Sequence, residues 1–264
     1  KIELIFKYCV AFKHKMNCKN CGEIIDGQYC SHCGQNTNVG KITFSSLANE
    51  FSESLLQVNR GFFFTLKELF TRPGKTILEY LKGKRKNHFK PITYALTLST
   101  IYFLVSQASG QNTWMDDLIS GFSMGVYEST ESKEIPAALI WFSKNFAYTT
   151  LLLLPVFSFA SYLAFLRKEQ NYLEHLVINS YIAGQQAIFY TLFCLMQSKI
   201  KNEVFEWLPI VTAFLYTIWV FCQIFEEGSR FVNVLRTIWT YILYLFLCTV
   251  LLLAIMGITE VVGG

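Results

Sequence analysis

From residue 92 onward the chain alternates long apolar runs with short polar ones, and that alternation restricts its fold more than any other feature. The runs cover about 92–108, 146–166, 175–197, 207–225 and 238–258. Each approaches the roughly 20 residues a helix needs to cross the hydrocarbon core of a bilayer, the first being the shortest. A hydrophobic share of 52% would also suit a soluble domain, so the total decides little. The distribution decides. Most of the runs lack a polar face, and a soluble helical bundle would have to leave those faces in water. The expected fold class is an all-α integral membrane protein, with about five transmembrane helices over residues 91–264.

The charges between the runs set an orientation. Fifteen of the 23 Lys and Arg precede residue 92. The connection 109–145 holds only Lys133 and Lys144, against Asp116, Asp117, Glu128, Glu131 and Glu134. Arg167 and Lys168 lie in 167–174, Lys199 and Lys201 in 198–206, and Arg230 and Arg236 in 226–237. Alternate connections therefore carry 19 basic residues on the N-terminal side and four on the other. Basic residues stay on the cytoplasmic side, which places the N-terminus inside and the C-terminus outside. Connection 109–145 is then the one long external segment, and Leu118 to Val126 is expected to form a small helix in it. No signal-peptide pattern is visible, so insertion is expected to rest on the spans themselves. A net charge of +4 gives no argument for nucleic acid.

Polar residues inside the runs are few. Gln185 and Gln186 stand near the middle of the third, and two adjacent amides cannot face the same neighbour. One reading is hydrogen bonding between helices; the other is a lined path or ligand pocket. His175, with Glu174 and Asn179, lies near the cytoplasmic mouth of the same run and reads as structural before it reads as a proton relay. No run carries a central Asp, Glu, Lys or Arg, which weighs against an ion-coupled pump. Pro155 and Gly184 are candidate kinks, without the paired breaks of an inverted repeat.

Four of the eight cysteines fall within sixteen residues, as Cys18-x2-Cys21 and Cys30-x2-Cys33. A CxxC pair lets two thiolates reach one ion while nearby amides point at the sulfurs, and Gly22 and Gly34 permit the tight turns required. The spacing points to structural Zn²⁺ in a ribbon over 18–40. An iron centre and redox or disulfide use are the alternatives. Four thiolates fill a tetrahedron, which disfavours a catalytic open position. His32 reads as a bystander. A knob this small has almost no apolar core, so metal binding should supply its folding energy. Residues 1–17 read as a short arm, and Cys194, Cys222 and Cys248 as small hydrophobes within the runs.

Between the ribbon and the runs, residues 41–90 read as interfacial helices. Phe44, Leu47, Ala48, Phe51, Leu55 and Val58 make one helical stripe. Phe62, Phe63, Leu66, Leu69 and Phe70 make another, Pro73-Gly74 interrupts it, and Ile77, Leu78 and Leu81 follow. Nine Lys and Arg lie within 60–91, ending in the run Lys84-Arg85-Lys86. A basic amphipathic helix beside a span is expected to lie among lipid headgroups, with Phe62, Phe63, Leu66 and Phe70 in the bilayer and Lys84, Arg85 and Lys86 at its surface. The competing reading is a helix packing its stripe on protein.

The head CxxCG…YCxxCGQ, followed by RGFxxTxxxLxxRPGxxIxxYLxGKR over residues 60–85, resembles an uncharacterised bacterial membrane-protein family known as a domain of unknown function. The resemblance implies a zinc-ribbon head fused to a multi-span domain in a bacterial inner membrane, with a periplasmic C-terminus. It implies no activity. The chain shows no P-loop, GxSxG, HExxH or dinucleotide-binding fingerprint. The expectation is a non-enzymatic scaffold or accessory subunit, with the lipid bilayer and other membrane proteins as partners. A small-solute or lipid transporter using Gln185-Gln186 is the alternative.

Overall fold

The computed structural model describes residues 16–37, 39–47, 61–127, 137–197, 199, 204–226 and 228–263. The arm up to residue 15 and the stripe beyond residue 47 lie outside them. Two short strands, β1 (Met16–Asn17) and β2 (Ile24–Ile25), pair antiparallel, with Met16 opposite Ile25. The ribbon thus begins at Met16, two residues before its first cysteine. The named helices are α1 (Gly61–Thr71), α2 (Pro73–Leu81), α3 (Pro91–Ala108), α4 (Trp114–Tyr127), α5 (Ala137–Lys144), α6 (Phe146–Ala164), α7 (Tyr172–Gln197), α8 (Val204–Ile224) and α9 (Arg230–Gly263). Among the described residues, three stretches are long and apolar enough to cross a membrane: α6, Trp207–Ile224 within α8, and Arg230–Ala254 within α9.

Helix α7 is the hub, packed on α3, α6 and α8. Its side chains from Val177 to Ile182 are buried, as are Gly184, Gln185 and Ala187. The closest approach is to α3. A Cβ on Gly184 would overlap the Tyr94 ring and lie 3.4 Å from Ala95 Cα, so only glycine lets these two backbones meet. Helix α9 lies outside, against α6 and α8. It exposes Ile238, Ile242, Leu245, Phe246 and Leu253. The apolar content of each helix therefore follows where it sits. The outer helix needs an apolar surface, while the hub can carry polar groups because neighbouring helices cover it.

Local signals fix the helix ends. Pro73 and Pro91 each occupy the first turn of a helix, where the missing N–H costs nothing. Helix α2 ends in a Schellman turn: Gly83 (φ 104°) donates its N–H to Tyr80 O at 3.0 Å, and Lys84 donates to Glu79 O at 2.9 Å. Helix α7 starts in a capping box, in which Glu174 N donates to Asn171 Oδ1 and Asn171 N to Glu174 Oε2, both at 2.9 Å. Two findings differ from the sequence reading. Helix α9 starts at Arg230, not near 238. No Gly or Pro interrupts 230–237, and Asn233 Nδ2 donates to Phe225 O at 2.7 Å to tie the new helix to the end of α8. Among its described residues, segment 109–145 holds two helices rather than one, the second carrying Leu139 into the core cluster that includes Phe146.

Candidate metal centre and its seat

The two CxxC turns are built alike. Gly22 N donates to Cys18 O and Gly34 N to Cys30 O, both at 2.8 Å. Cys18 N donates to Glu23 O at 2.7 Å and Cys30 N to Gln35 O at 2.8 Å. The turns close only because Gly22 (φ 82°) and Gly34 (φ 71°) take left-handed backbone. They bring the four sulfurs within 4.8 Å of one another. Cys18 Sγ lies 3.6 Å from Cys33 Sγ, and Cys21 Sγ lies 3.6 Å from Cys30 Sγ. Sulfurs about 2.3 Å from a common tetrahedral centre stand about 3.8 Å apart, so the set fits one metal ion and is consistent with zinc.

The electrostatics of the set ask for a cation. The backbone amides of Cys21 and Asn20 favour the Cys18 thiolate and lower its pKa to about 6, against burial. The amides of Cys33 and His32 act the same way on Cys30 and lower it. At Cys21 the Glu23 amide also lowers the pKa, but burial and the neighbouring sulfurs of Cys30, Cys33 and Cys18 push it up to about 12. The first thiols ionise readily and the last resists, because burial and the sulfurs beside it oppose a further thiolate. A divalent cation removes that obstacle. His32 is exposed and outside the sulfur cluster.

The ribbon is seated on the loop after α2. Gln35, 4% exposed, is the plug. Its Nε2 donates to Gly83 O at 2.9 Å, and its Oε1 accepts from Arg85 N at 3.1 Å and Lys86 N at 3.2 Å. Lys19 Nζ donates to Val39 O at 2.6 Å while its stem lies over Gly83, where a Cβ would come within 2.8 Å of Lys19 Cδ. Arg85 donates to Gly40 O at 3.2 Å and lies over the Tyr80 ring, 5.3 Å from its centroid. Behind the seat, His88 packs edge-on to the Phe64 and Tyr80 rings. Burial lowers the His88 pKa, with Glu79 opposing, so the seat packs a neutral ring. Phe89 N donates to Thr65 Oγ1 at 2.7 Å, and Tyr181 Oη donates to Phe89 O at 2.6 Å, joining the loop to α1 and α7.

The sequence did not single out Gln35. Its one signal was its place directly after the second CxxCG. The run Lys84-Arg85-Lys86 also takes part in the seat: Lys84 Nζ is 3.5 Å from Glu79 Oε1, and the Arg85 and Lys86 amides hold Gln35. The stripe of α1 divides into two rows. Leu69 is fully buried, Phe62 and Leu66 pack with it on the core, and Tyr216 Oη donates to Leu69 O at 3.0 Å. Phe63 and Phe70, ~100° around the helix from Phe62 and Leu69, form a second row. Phe63 is 72% exposed, and Phe70, 42% exposed, meets the Phe189 ring edge-on.

The remaining candidates do not come together at the metal centre. Gln185 Oε1 accepts from Tyr94 Oη at 2.8 Å on the α3 side. Gln186 Nε2 donates to Ala213 O at 3.2 Å and Thr217 Oγ1 at 3.0 Å on the α8 side. His175 Nδ1 is 3.0 Å from Ser161 Oγ, which also accepts from Asn179 Nδ2 at 2.8 Å.

A family model described as a protein of unknown function (DUF3667) matches residues 59–103. That span takes in α1, α2, the seat loop and most of α3, and leaves the ribbon outside. No curated protein and no solved structure matches the chain.

Proposed function

We propose that the chain is a non-enzymatic membrane protein, in which a zinc-held knob is clamped to the cytoplasmic edge of a five-span domain and offers a rigid surface to other membrane proteins. It would serve them as a scaffold or accessory subunit in a bacterial inner membrane. The observation that carries this reading is the buried Gln35 plug, which joins the ribbon to Gly83, Arg85 and Lys86 and so fixes a knob that a flexible tether would leave loose. Zinc is favoured because four thiols share one tetrahedral position and leave no open place for substrate. Helices α3 and α7 join the three apolar stretches as spans; they are covered by neighbours, which relieves them of the need for high hydropathy. The excess of Lys and Arg before residue 92 supports the orientation, with the exposed row Phe63 and Phe70 turned to lipid.

Native purification of the full chain in mild detergent tests the reading. A stoichiometric protein partner that is retained by wild type and lost with Cys30→Ser supports the scaffold. A chain that purifies alone but holds a solute or lipid that Gln185→Leu releases would replace it with the transport reading.

A further inference from the structure

Between α2 and the C-terminal end of α8 lies a groove of about 350 Å³. Leu78 forms its apolar part, Lys75, Lys82 and Lys84 line it from α2 and the seat, and Gln223 and Glu226 line it from α8 and the turn that follows. The groove is a built feature. Gly74 N donates to Gln223 Oε1 at 2.8 Å, and a Cβ on Gly74 would overlap the Gln223 side chain, so the Arg72-Pro73-Gly74 turn is what lets α2 reach α8. The seventh lining group, Glu79, has its carboxylate 3.5 Å from Lys84 Nζ and 3.8 Å from Arg72 Nη1. Its charge is thereby answered. Lys75 and Lys82 then set two cations about 10 Å apart along α2, with the Glu226 carboxylate on the opposite wall. On α8 an exposed apolar row, Val211, Leu215 and Trp219, runs at four-residue spacing up to Gln223. A track of that kind fits an acyl chain, and tryptophan favours the level where chain meets headgroup.

Two cations facing a carboxylate, with an apolar track leading away, complement a zwitterion that carries a chain. We propose that this groove binds the headgroup of an aminophospholipid: the phosphodiester on Lys75 and Lys82, the ammonium on Glu226, and an acyl chain along Val211, Leu215 and Trp219. The inference rests on the membrane reading above and adds a defined lipid site to it.

Native mass spectrometry of the full chain in mild detergent, stripped of lipid and then offered dioleoyl phosphatidylethanolamine or phosphatidylglycerol, tests it. Wild type should retain one phosphatidylethanolamine in preference to phosphatidylglycerol. Lys75→Gln with Lys82→Gln should cut that retention roughly 30-fold, from about 1 kcal/mol for each lysine near a phosphate. Glu226→Gln should bring phosphatidylglycerol up to the level of phosphatidylethanolamine, and Lys67→Gln, on α1 and outside the groove, should change nothing. Millimolar inorganic phosphate should leave the lipid in place. Undiminished retention by the double lysine variant overturns the site. Displacement of the lipid by phosphate also overturns it, and would assign the groove to a soluble phosphate. A chain that stays dispersed in water without detergent would instead sink the membrane reading beneath it.

Discussion

The ribbon and the helical bundle are held together by opposite means. The ribbon buries Ile25 and the two cysteines Cys18 and Cys30, with Cys33 beside them, and little else. The bundle buries one continuous aromatic and aliphatic cluster that runs from Leu69 through Tyr94 and Tyr181 to Phe225. Apolar burial at roughly 25 cal/mol per Å² stabilises the second and barely reaches the first. In the proposed reading the ribbon depends on a metal and the bundle on its packing, and the two meet at the Gln35 plug. The contrast teaches that one chain can carry two separately breakable units, and that the seam between them is where each feels the other.

Metal removal should break the ribbon alone, and it is the largest effect expected. Structural zinc contributes on the order of 10 kcal/mol to such a knob. Cys30→Ser should abolish metal binding and open residues 16–37 to protease, while the far-ultraviolet circular dichroism of the helices stays. Loss of helix on the same scale would mean that the bundle leans on the ribbon. The converse break is Gly184→Val. It forces a side chain into the Tyr94 ring, and overpacking of this kind costs about 3 kcal/mol. The helices should unfold at lower temperature in detergent while the protein keeps its metal, measured by elemental analysis.

Smaller changes should act on the seam. Gln35→Ala leaves Gly83 O, Arg85 N and Lys86 N without their partner, at about 1–3 kcal/mol. The ribbon should keep its metal yet detach, which cleavage of the 38–43 linker by protease would report. An unchanged cleavage rate would show that Lys19 and Arg85 hold the ribbon without the plug. The smallest effect concerns His88. Burial holds its pKa below the ordinary 6.5, so its contribution to stability is whole above pH 6.5 and is lost as pH falls through the lowered value. Thermal unfolding followed from pH 7 downward should show an acid-labile component that His88→Phe removes; identical profiles for the two proteins would contradict it.

The sequence showed the ribbon and its ligands plainly, because CxxC spacing is local geometry. It also placed helices over all five apolar runs, because each run is long. What it hid were relations between distant segments. The basic run Lys84-Arg85-Lys86 gives no sign in sequence that Gln35, some fifty residues earlier, closes on its amides. Phe62 and Phe63 read as one stripe because the helical pattern does not say which row meets α7 and α8. Helix α7 carries three glutamines, a histidine and an asparagine, which lowers its hydropathy; it is the hub because other helices cover the face that carries most of them. Glu174 read as a polar residue at a membrane mouth and is a helix cap.

Hydrogen exchange at the Arg85 and Lys86 amides, followed by mass spectrometry on the full chain with and without a zinc chelator, tests the clamped metal knob most directly. Both amides donate to Gln35 Oε1, on the ribbon side of the seam. With metal present they should exchange slowly. Stripping the metal should release Gln35 and speed their exchange, while amides of α7 at 177–187 stay protected. If Arg85 and Lys86 remain equally protected without metal, the knob is not what holds the seat, and the account is wrong.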